Sequence, residues 1–349
     1  MLVTLCRRVL RVDRSLLRFC SVNAEHVVTN PSGSEGHPDD DFIVDQSFEI
    51  GRLRREEDKC LRIAILGLPN AGKSTLVNQL VGRQICAMSG KAHTTRSKTN
   101  VIYSEGDTQL IFMDTPGLVT TRDFKKFKLE PSFKSDIDKS LERADIVGVV
   151  QDAAHPFKRH KIDVRVIEAL KRTRPGVTSI LILNKVDRVK PKKELLKLVD
   201  LLTGENNWPN FSDIFMISAL QNDGVDDLRA YLLDSAKSRD WDFSTNQITD
   251  APTEKIVERT VKAKFMDALP DELPYTLNIQ TEHLGVLPDN SMTAIVNVHC
   301  PSDRISKLVL GPGGSRVKKV SLAAEQELSN AFRTTVRLKI AVIFSEQKS

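Results

Sequence analysis

Apolar residues recur along this chain in two alternating rhythms. Short runs rich in Ile, Val and Leu predict strands over residues 61–66, 100–104, 109–113, 146–151, 179–183 and 214–218. Stretches with helical spacing predict helices over 73–81, 135–143, 162–171, 192–202 and 225–237. Glu105-Gly106-Asp107 is too short to carry a crossover helix, so the second and third strands form a hairpin. The remaining strand–helix units build an α/β domain on a mostly parallel six-stranded sheet.

The order then changes. Ile248-Thr249-Asp250-Ala251-Pro252 reads as a connector, followed by a helix over 253–269, strands over 275–282 and 292–299, helices over 303–310 and 315–332, and a last strand over 335–344. This α-β-β-α-α-β sequence is a smaller α+β domain. The expected division is 59–241 for the first domain, 242–252 for the connector and 253–349 for the second. Residues 21–58, with Asn30-Pro31-Ser32-Gly33-Ser34 and Asp39-Asp40-Asp41, lack periodicity and read as a disordered linker.

Charge changes the picture at one end. The chain of 349 residues carries a net +5, but residues 1–20 hold +4 of it, leaving only +1 for the rest. Global charge therefore says nothing about nucleic acid, and any such surface has to be argued locally. Arg7, Arg11, Arg14 and Arg18 share one helical face, and Leu5, Val9, Val12, Leu16 and Phe19 share another. An Arg-rich amphipathic helix poor in acids predicts a mitochondrial transit peptide over 1–20. Cys6, Cys20, Cys60, Cys86 and Cys300 lack metal-ligand spacing, and their odd number reads as reduced thiols. No apolar run reaches the roughly eighteen residues a transmembrane helix needs.

Three spaced signals carry candidate chemistry. Gly67-Leu68-Pro69-Asn70-Ala71-Gly72-Lys73-Ser74, followed by Thr75, joins the first strand to the first helix. Its glycines admit phosphates to backbone N–H groups, Lys73 reaches the terminal phosphates, and the Ser74 hydroxyl suits Mg²⁺. Asp114-Thr115-Pro116-Gly117 ends the third strand, where Asp114 can hold Mg²⁺ and the Gly117 N–H can bond a γ-phosphate. Asn184-Lys185-Val186-Asp187 follows the fifth strand. Asp187 can accept from guanine N1 and N2, Asn184 can reach the base edge, and the Lys185 stem can pack over the ring. Ser218-Ala219 would complete the base pocket through backbone N–H groups. Together they predict GTP.

A Mg²⁺-sensing switch is expected at His93-Thr94-Thr95-Arg96, with either Thr94 or Thr95 as the metal-binding hydroxyl. His93 reads as a surface residue of that loop. Leu118 stands where many GTPases have a water-orienting glutamine. Another group is then required, and Asn70 is a candidate for holding a monovalent cation such as K⁺. Asn70, Lys73 and Thr95 are accordingly the catalytic candidates.

In the second domain, Gly311-Pro312-Gly313-Gly314 joins two helices and is followed by Arg316, Lys318 and Lys319. A Gly-x-x-Gly loop lets single-stranded RNA backbone approach, and the three cations can meet its phosphates. The runs Lys125-Lys126 and 190–193 read as solvated faces.

From about residue 61 to 344 the chain resembles the Era GTPases, which couple a GTP-binding domain to a C-terminal KH domain. The resembling stretches are 67–76, Lys91-Ala92-His93-Thr94-Thr95-Arg96, 114–118, 184–187, Ile217-Ser218-Ala219, Glu272-Leu273-Pro274-Tyr275 and 309–314. With the amphipathic N-terminus, the nearest members are mitochondrial. The resemblance implies GTP hydrolysis with Mg²⁺, binding near the 3′ end of small-subunit rRNA, and small-subunit assembly in the mitochondrial matrix. It also implies the glutamine-lacking, cation-assisted pattern at Asn70 and Leu118. A monomer is expected, and peripheral association with the inner membrane is left open. Two positions depart from the family: Pro312-Gly313 replaces a basic residue, and Ala251-Pro252 replaces Arg-Ser. The competing readings are a membrane-associated signalling GTPase and an RNA-binding module whose GTP site does not hydrolyse.

Overall fold

The structure, a computed structural model, describes residues 57–91, 94–95, 98–119, 132–204, 209–270 and 272–344. The expected transit peptide and linker, together with His93, Arg96 and Lys125-Lys126, lie outside the described residues.

The first domain is built on β1 (Lys59–Gly67), β2 (Thr99–Glu105), β3 (Thr108–Asp114), β4 (Ile146–Asp152), β5 (Thr178–Asn184) and β6 (Ile214–Met216), in the order β2-β3-β1-β4-β5-β6. All neighbours are parallel except the β2–β3 hairpin. Because strand side chains alternate between faces, β1 feeds two cores. Ala64 and Leu66 enter one with Leu141, Val166 and Leu195, from α2 (Ser132–Arg143), α3 (Val164–Lys171) and α4 (Lys193–Thr203). Leu61, Ile63 and Ile65 enter the other with Leu76, Leu80 and Leu228, from α1 (Lys73–Val81) and α5 (Val225–Asp234). The carboxyl ends of β1, β3, β4 and β5 therefore open at one rim, where a ligand of an α/β sheet sits.

The sheet has seven strands, not six. The helix expected over 225–237 stops at Asp234, and β7 (Lys237–Ser238) pairs antiparallel with the start of β1. The cause is remote: buried Asp145 binds the Arg239 guanidinium and accepts the Arg62 N–H at 2.9 Å, drawing the chain back along β1.

The second domain comprises α6 (Thr253–Ala268), β8 (Asn278–Val286), β9 (Met292–Cys300), α7 (Asp303–Leu310), α8 (Ser315–Phe332) and β10 (Val336–Phe344). Its sheet runs β10-β9-β8, with β8 antiparallel and β10 parallel to β9. Val257, Val261 and Phe265 of α6 and Val320, Ala324 and Leu328 of α8 cover one face of it. The strand expected from Tyr275 begins only at Asn278, because Leu273–Thr276 forms a 3₁₀ turn around Pro274, closed by Thr276 Oγ1 donating to the Leu273 carbonyl at 2.8 Å.

The connector lies along β2, the edge strand. Ile102 N–H donates to the Ile248 carbonyl at 2.9 Å, and Asp250 accepts from the Asn100 N–H and Nδ2 at 2.9 and 2.6 Å. It thus pairs an edge that would otherwise expose unbonded backbone groups.

Candidate nucleotide and RNA sites

The loop between β1 and α1 wraps an open cleft lined by Pro69, Asn70, Gly72, Lys73, Ser74 and Thr75 together with Thr94, Thr95 and Gly117. Ala71 is buried beneath it. Gly72 has φ 94°, and a Cβ there would sit 2.2 Å from Asn184 Nδ2. A Cβ on Gly117 would sit 2.8 Å from the Pro69 nitrogen. Glycine is required at both by neighbours far away in sequence.

Lys73 is buried at the floor, and its ammonium donates to the carbonyls of Gly67 and Leu68 at 3.3 and 3.1 Å. Burial lowers its pKa from 10.5 to about 8, opposed by the Asp114 charge. An ammonium poised in this way is relieved by phosphate anions. Asp114 is also buried, and desolvation raises its pKa against the opposing effects of Lys73, Ser74 and Thr95.

Ser74 Oγ donates to Asp114 Oδ2 at 2.9 Å and lies 3.0 Å from Thr95 Oγ1, which is itself 3.4 Å from Asp114 Oδ2. Asp114 Oδ1 is buried without a hydrogen-bond partner. Two hydroxyls and an under-satisfied carboxylate are hard oxygen donors that fit Mg²⁺ completed by phosphate oxygens and water. Of the two threonines left open by the sequence, Thr95 joins this cluster. Thr94 turns away, with its hydroxyl 2.6 Å from Ser89 Oγ and 3.1 Å from the Lys91 carbonyl.

At the base end the residues arrive together, though two parts differ from expectation. Asn184 is buried, and instead of facing outward its Nδ2 donates to the Ala71 carbonyl at 2.9 Å. Its Oδ1 accepts from the N–H groups of Lys185 and Ala219 at 2.8 and 3.0 Å. The side chain therefore braces the phosphate loop against the base end. The amides of Ser218 and Ala219, expected to face the base, are engaged within the protein: Ser218 N–H bonds the Asp223 carbonyl and Ala219 N–H bonds Asn184. Ser218 acts instead through its hydroxyl, which donates to Asp187 Oδ1 at 2.7 Å and orients that carboxylate. Lys185 spans the site, its ammonium 2.6 Å from the Asn70 carbonyl and 2.7 Å from Asp152 Oδ2.

Leu118 points into the core, where it packs with Leu68 and Met113. No side chain from that position reaches the cleft. Asn70, with φ 62°, stands at the rim, and its Nδ2 lies 3.4 Å from the Gly90 carbonyl.

The motifs left out several participants. Ala87, Met88 and Ser89 line the cleft, and Asn78 fixes their approach by bonding Cys86 at both its carbonyl and its N–H, each at 2.8 Å. Asp152 was legible in one respect, as an acid at the carboxyl end of β4 in register with Asn184.

In the second domain α7 ends at Gly311 (φ 71°), and Gly313 and Gly314 also have positive φ. Pro312 and Gly313 are exposed, as are Lys318 and Lys319 on the first turns of α8. Arg316, expected to meet RNA phosphates, folds back so that its guanidinium bonds the Leu308 carbonyl, satisfying an end of α7. Leu308 and Leu310 are partly exposed beside the loop.

The two domains meet at the switch segment. Gly90 N–H donates to Asp267 Oδ1 at 2.8 Å, and the Lys91 ammonium donates to the Leu269 carbonyl at 2.6 Å.

A family model described as 50S ribosome-binding GTPase matches residues 62–185. The chain is 33% identical to the mitochondrial GTPase Era of Danio rerio, over 85% of this chain and 79% of the relative. It is 34% identical to GTPase Era of Brucella suis, over 80% and 86%. Among solved structures it is similar to Era in complex with MgGDPNP and nucleotides 1506–1542 of 16S ribosomal RNA, with a TM-score of 0.69, 27% identity and 83% and 95% of the two chains covered. It is equally similar to a single-residue variant of Aquifex aeolicus Era bound to GDP·AlF₄⁻, at a TM-score of 0.70 and 27% identity over the same shares of the two chains. A P-loop domain on a mostly parallel sheet, a KH-type domain behind it, and relatives alike over most of their length lead to one conclusion: the chain belongs to the Era family of GTPases, enzymes that hydrolyse GTP.

Proposed function

We propose that this chain is an assembly factor of the mitochondrial small ribosomal subunit that binds near the 3′ end of its rRNA and uses GTP to control binding and release. One observation carries the coupling. Thr95 stands beside Ser74 and Asp114, while Gly90 and Lys91, earlier in the same loop, bond Asp267 of α6 and Leu269 just after it in the KH-type domain. Whatever reorders Thr95 also loads the contact with the RNA-binding domain.

In this reading Lys73 and the loop amides hold the phosphates, while Asp187 and Lys185 select and cover guanine. Ser74, Thr95 and Asp114 would hold Mg²⁺, which would supply charge neutralisation at the phosphates. Asn184 keeps the two halves of the site in register. With Leu118 turned inward, positive charge for hydrolysis is assigned to Lys73 and to a K⁺ ion beside Asn70. Gly311, Pro312, Gly313 and Gly314 admit the RNA backbone, and Lys318 and Lys319 meet its phosphates. The site of action is the mitochondrial matrix and the working form a monomer. The rRNA target is supported by the Era complex with 16S rRNA nucleotides 1506–1542, and the compartment by the mitochondrial relatives.

The test is the affinity of the full chain for a small-subunit rRNA 3′ fragment with a GTP analogue, with GDP and without nucleotide. Tighter binding with the analogue is expected; identical affinities in all three would end the switch model. A hydrolysis rate that is the same in K⁺ and Na⁺ would remove K⁺ from the scheme.

A further inference from the structure

After β4 the chain runs His155-Pro156-Phe157-Lys158-Arg159-His160-Lys161, and the Phe157 ring is 83% exposed. The loop that presents it is braced. The N–H groups of Phe157 and Lys158 donate to His155 Nδ1 at 3.3 and 3.2 Å. Gln151 Nε2 donates to the Lys158 and Lys161 carbonyls at 2.7 and 3.3 Å. A large aromatic ring is thus held out in water by a defined backbone, which calls for a partner.

Positive charge surrounds the ring. Residues 155–161 and 188–197 contain eight lysines and arginines against a single acid, Glu194. The segments are neighbours, since Arg159 and His160 act electrostatically on Glu194 at the start of α4. Lys192 and Lys193 lie at the amino end of α4, where the helix dipole opposes cations. Lys158, Lys161, Lys190 and Lys193 are exposed, and none is held in an ion pair among the described residues. The chain beyond residue 20 nets only +1, so this is a local concentration.

We propose that this surface is a second RNA contact, on the GTPase domain, in which Phe157 stacks on an unpaired base while Lys158, Arg159, Lys161 and the lysines heading α4 meet the flanking phosphates. A ring with a π-face for any base, set beside exposed lysines, matches the chemistry of single-stranded nucleic acid. The surface rests on the rRNA-binding reading but is separate from the Gly311–Gly314 loop. It is rooted beside the nucleotide: Asp152, which holds Lys185, also accepts the Ala154 N–H at 3.0 Å where the loop begins.

The experiment uses the full chain as Phe157→Ala, as Lys158→Glu/Lys161→Glu, and as Lys318→Glu/Lys319→Glu. Each is titrated with protein-free small-subunit rRNA and with intact small subunits across a range of salt. Phe157→Ala is expected to weaken binding to protein-free rRNA roughly tenfold. The Lys158/Lys161 reversal is expected to lower the slope of log affinity against log salt by about 1 to 2. Hydrolysis of GTP without RNA stays at the wild-type rate in both. If both variants keep wild-type affinity and slope while Lys318→Glu/Lys319→Glu loses affinity, the second contact is wrong and the KH reading stands. A loss confined to intact subunits also overturns it, since the surface then meets protein. If wild-type protein binds no rRNA, the rRNA-binding reading falls and takes this surface with it.

Discussion

The Gly90 amide donates to the Asp267 carboxylate across 2.8 Å, tying the loop that carries Thr95 to the helix that opens the RNA-binding domain. The bond joins residues 177 positions apart and lies on the surface, so it contributes about 1 kcal/mol. That is enough to bias an equilibrium several-fold without holding the fold together.

Asp267→Ala is therefore expected to leave intrinsic GTP hydrolysis within about threefold of wild type while shrinking the difference in RNA affinity between GTP and GDP states several-fold. Fluorescence anisotropy with an rRNA fragment in each nucleotide state, beside a hydrolysis assay, measures both limbs. An undiminished difference would show that the clasp carries no coupling.

Asn184→Ala removes a buried brace and leaves the Ala71 carbonyl and the Ala219 N–H without their partner. Each unpaired buried group costs about 1–3 kcal/mol. The variant is expected to lose stability of that order and to bind GTP roughly tenfold more weakly or worse. Thermal unfolding with and without nucleotide separates the two effects, because the Tm of the free protein reads the stability loss alone while the nucleotide-dependent rise in Tm reads the weakened binding.

Thr95→Ala and Thr94→Ala are expected to diverge although the residues are adjacent. Thr95 touches Ser74 and Asp114, and its loss should lower Mg²⁺-dependent hydrolysis on the order of a hundredfold. Among the described residues Thr94 bonds Ser89 and Lys91 within its own loop, and its loss should cost a few-fold at most. Hydrolysis rates over a Mg²⁺ titration decide the matter; equal losses would contradict the assignment.

The Lys73 ammonium gives a pH dependence of definite sign. Its pKa in the free protein is about 8, below the 10.5 of an unfolded chain, because burial disfavours the charge. Between pH 8 and 10.5 the unfolded chain binds the extra proton, so this group makes the free protein more stable as pH rises through that window. Nucleotide reverses the preference, since phosphates favour the charged form. Binding should be level below about pH 8, weaken by about tenfold per unit above it, and take up a proton there. Calorimetry in buffers of different ionisation enthalpy measures that proton directly.

Which features could be read in advance follows from how far apart the deciding residues lie. The phosphate loop is contiguous, so its spacing alone placed Gly67–Ser74 at the end of β1. The boundaries of α1, α7 and α8 agreed to the residue because local periodicity and terminal glycines set them. The strand β7 was not legible, since its pairing depends on Asp145 meeting Arg239, 94 positions away. The choice between Thr94 and Thr95 turned on which side chain faces Ser74, and two equal hydroxyls one residue apart carry no sequence signal for that.

By itself, then, the sequence determined the order of elements, the two-domain architecture and the chemical types gathered for GTP, because hydrophobic period and motif spacing are local properties. Only the tertiary structure decided that Asn184 bonds the Ala71 carbonyl, that the Ser218 and Ala219 amides are already bonded, that Arg316 folds onto α7, and that Gly90 and Lys91 touch the second domain. Those are matters of which hydrogen-bond partner each group meets. The partner is fixed by how remote segments pack, since a buried donor or acceptor takes whatever the packing brings within reach.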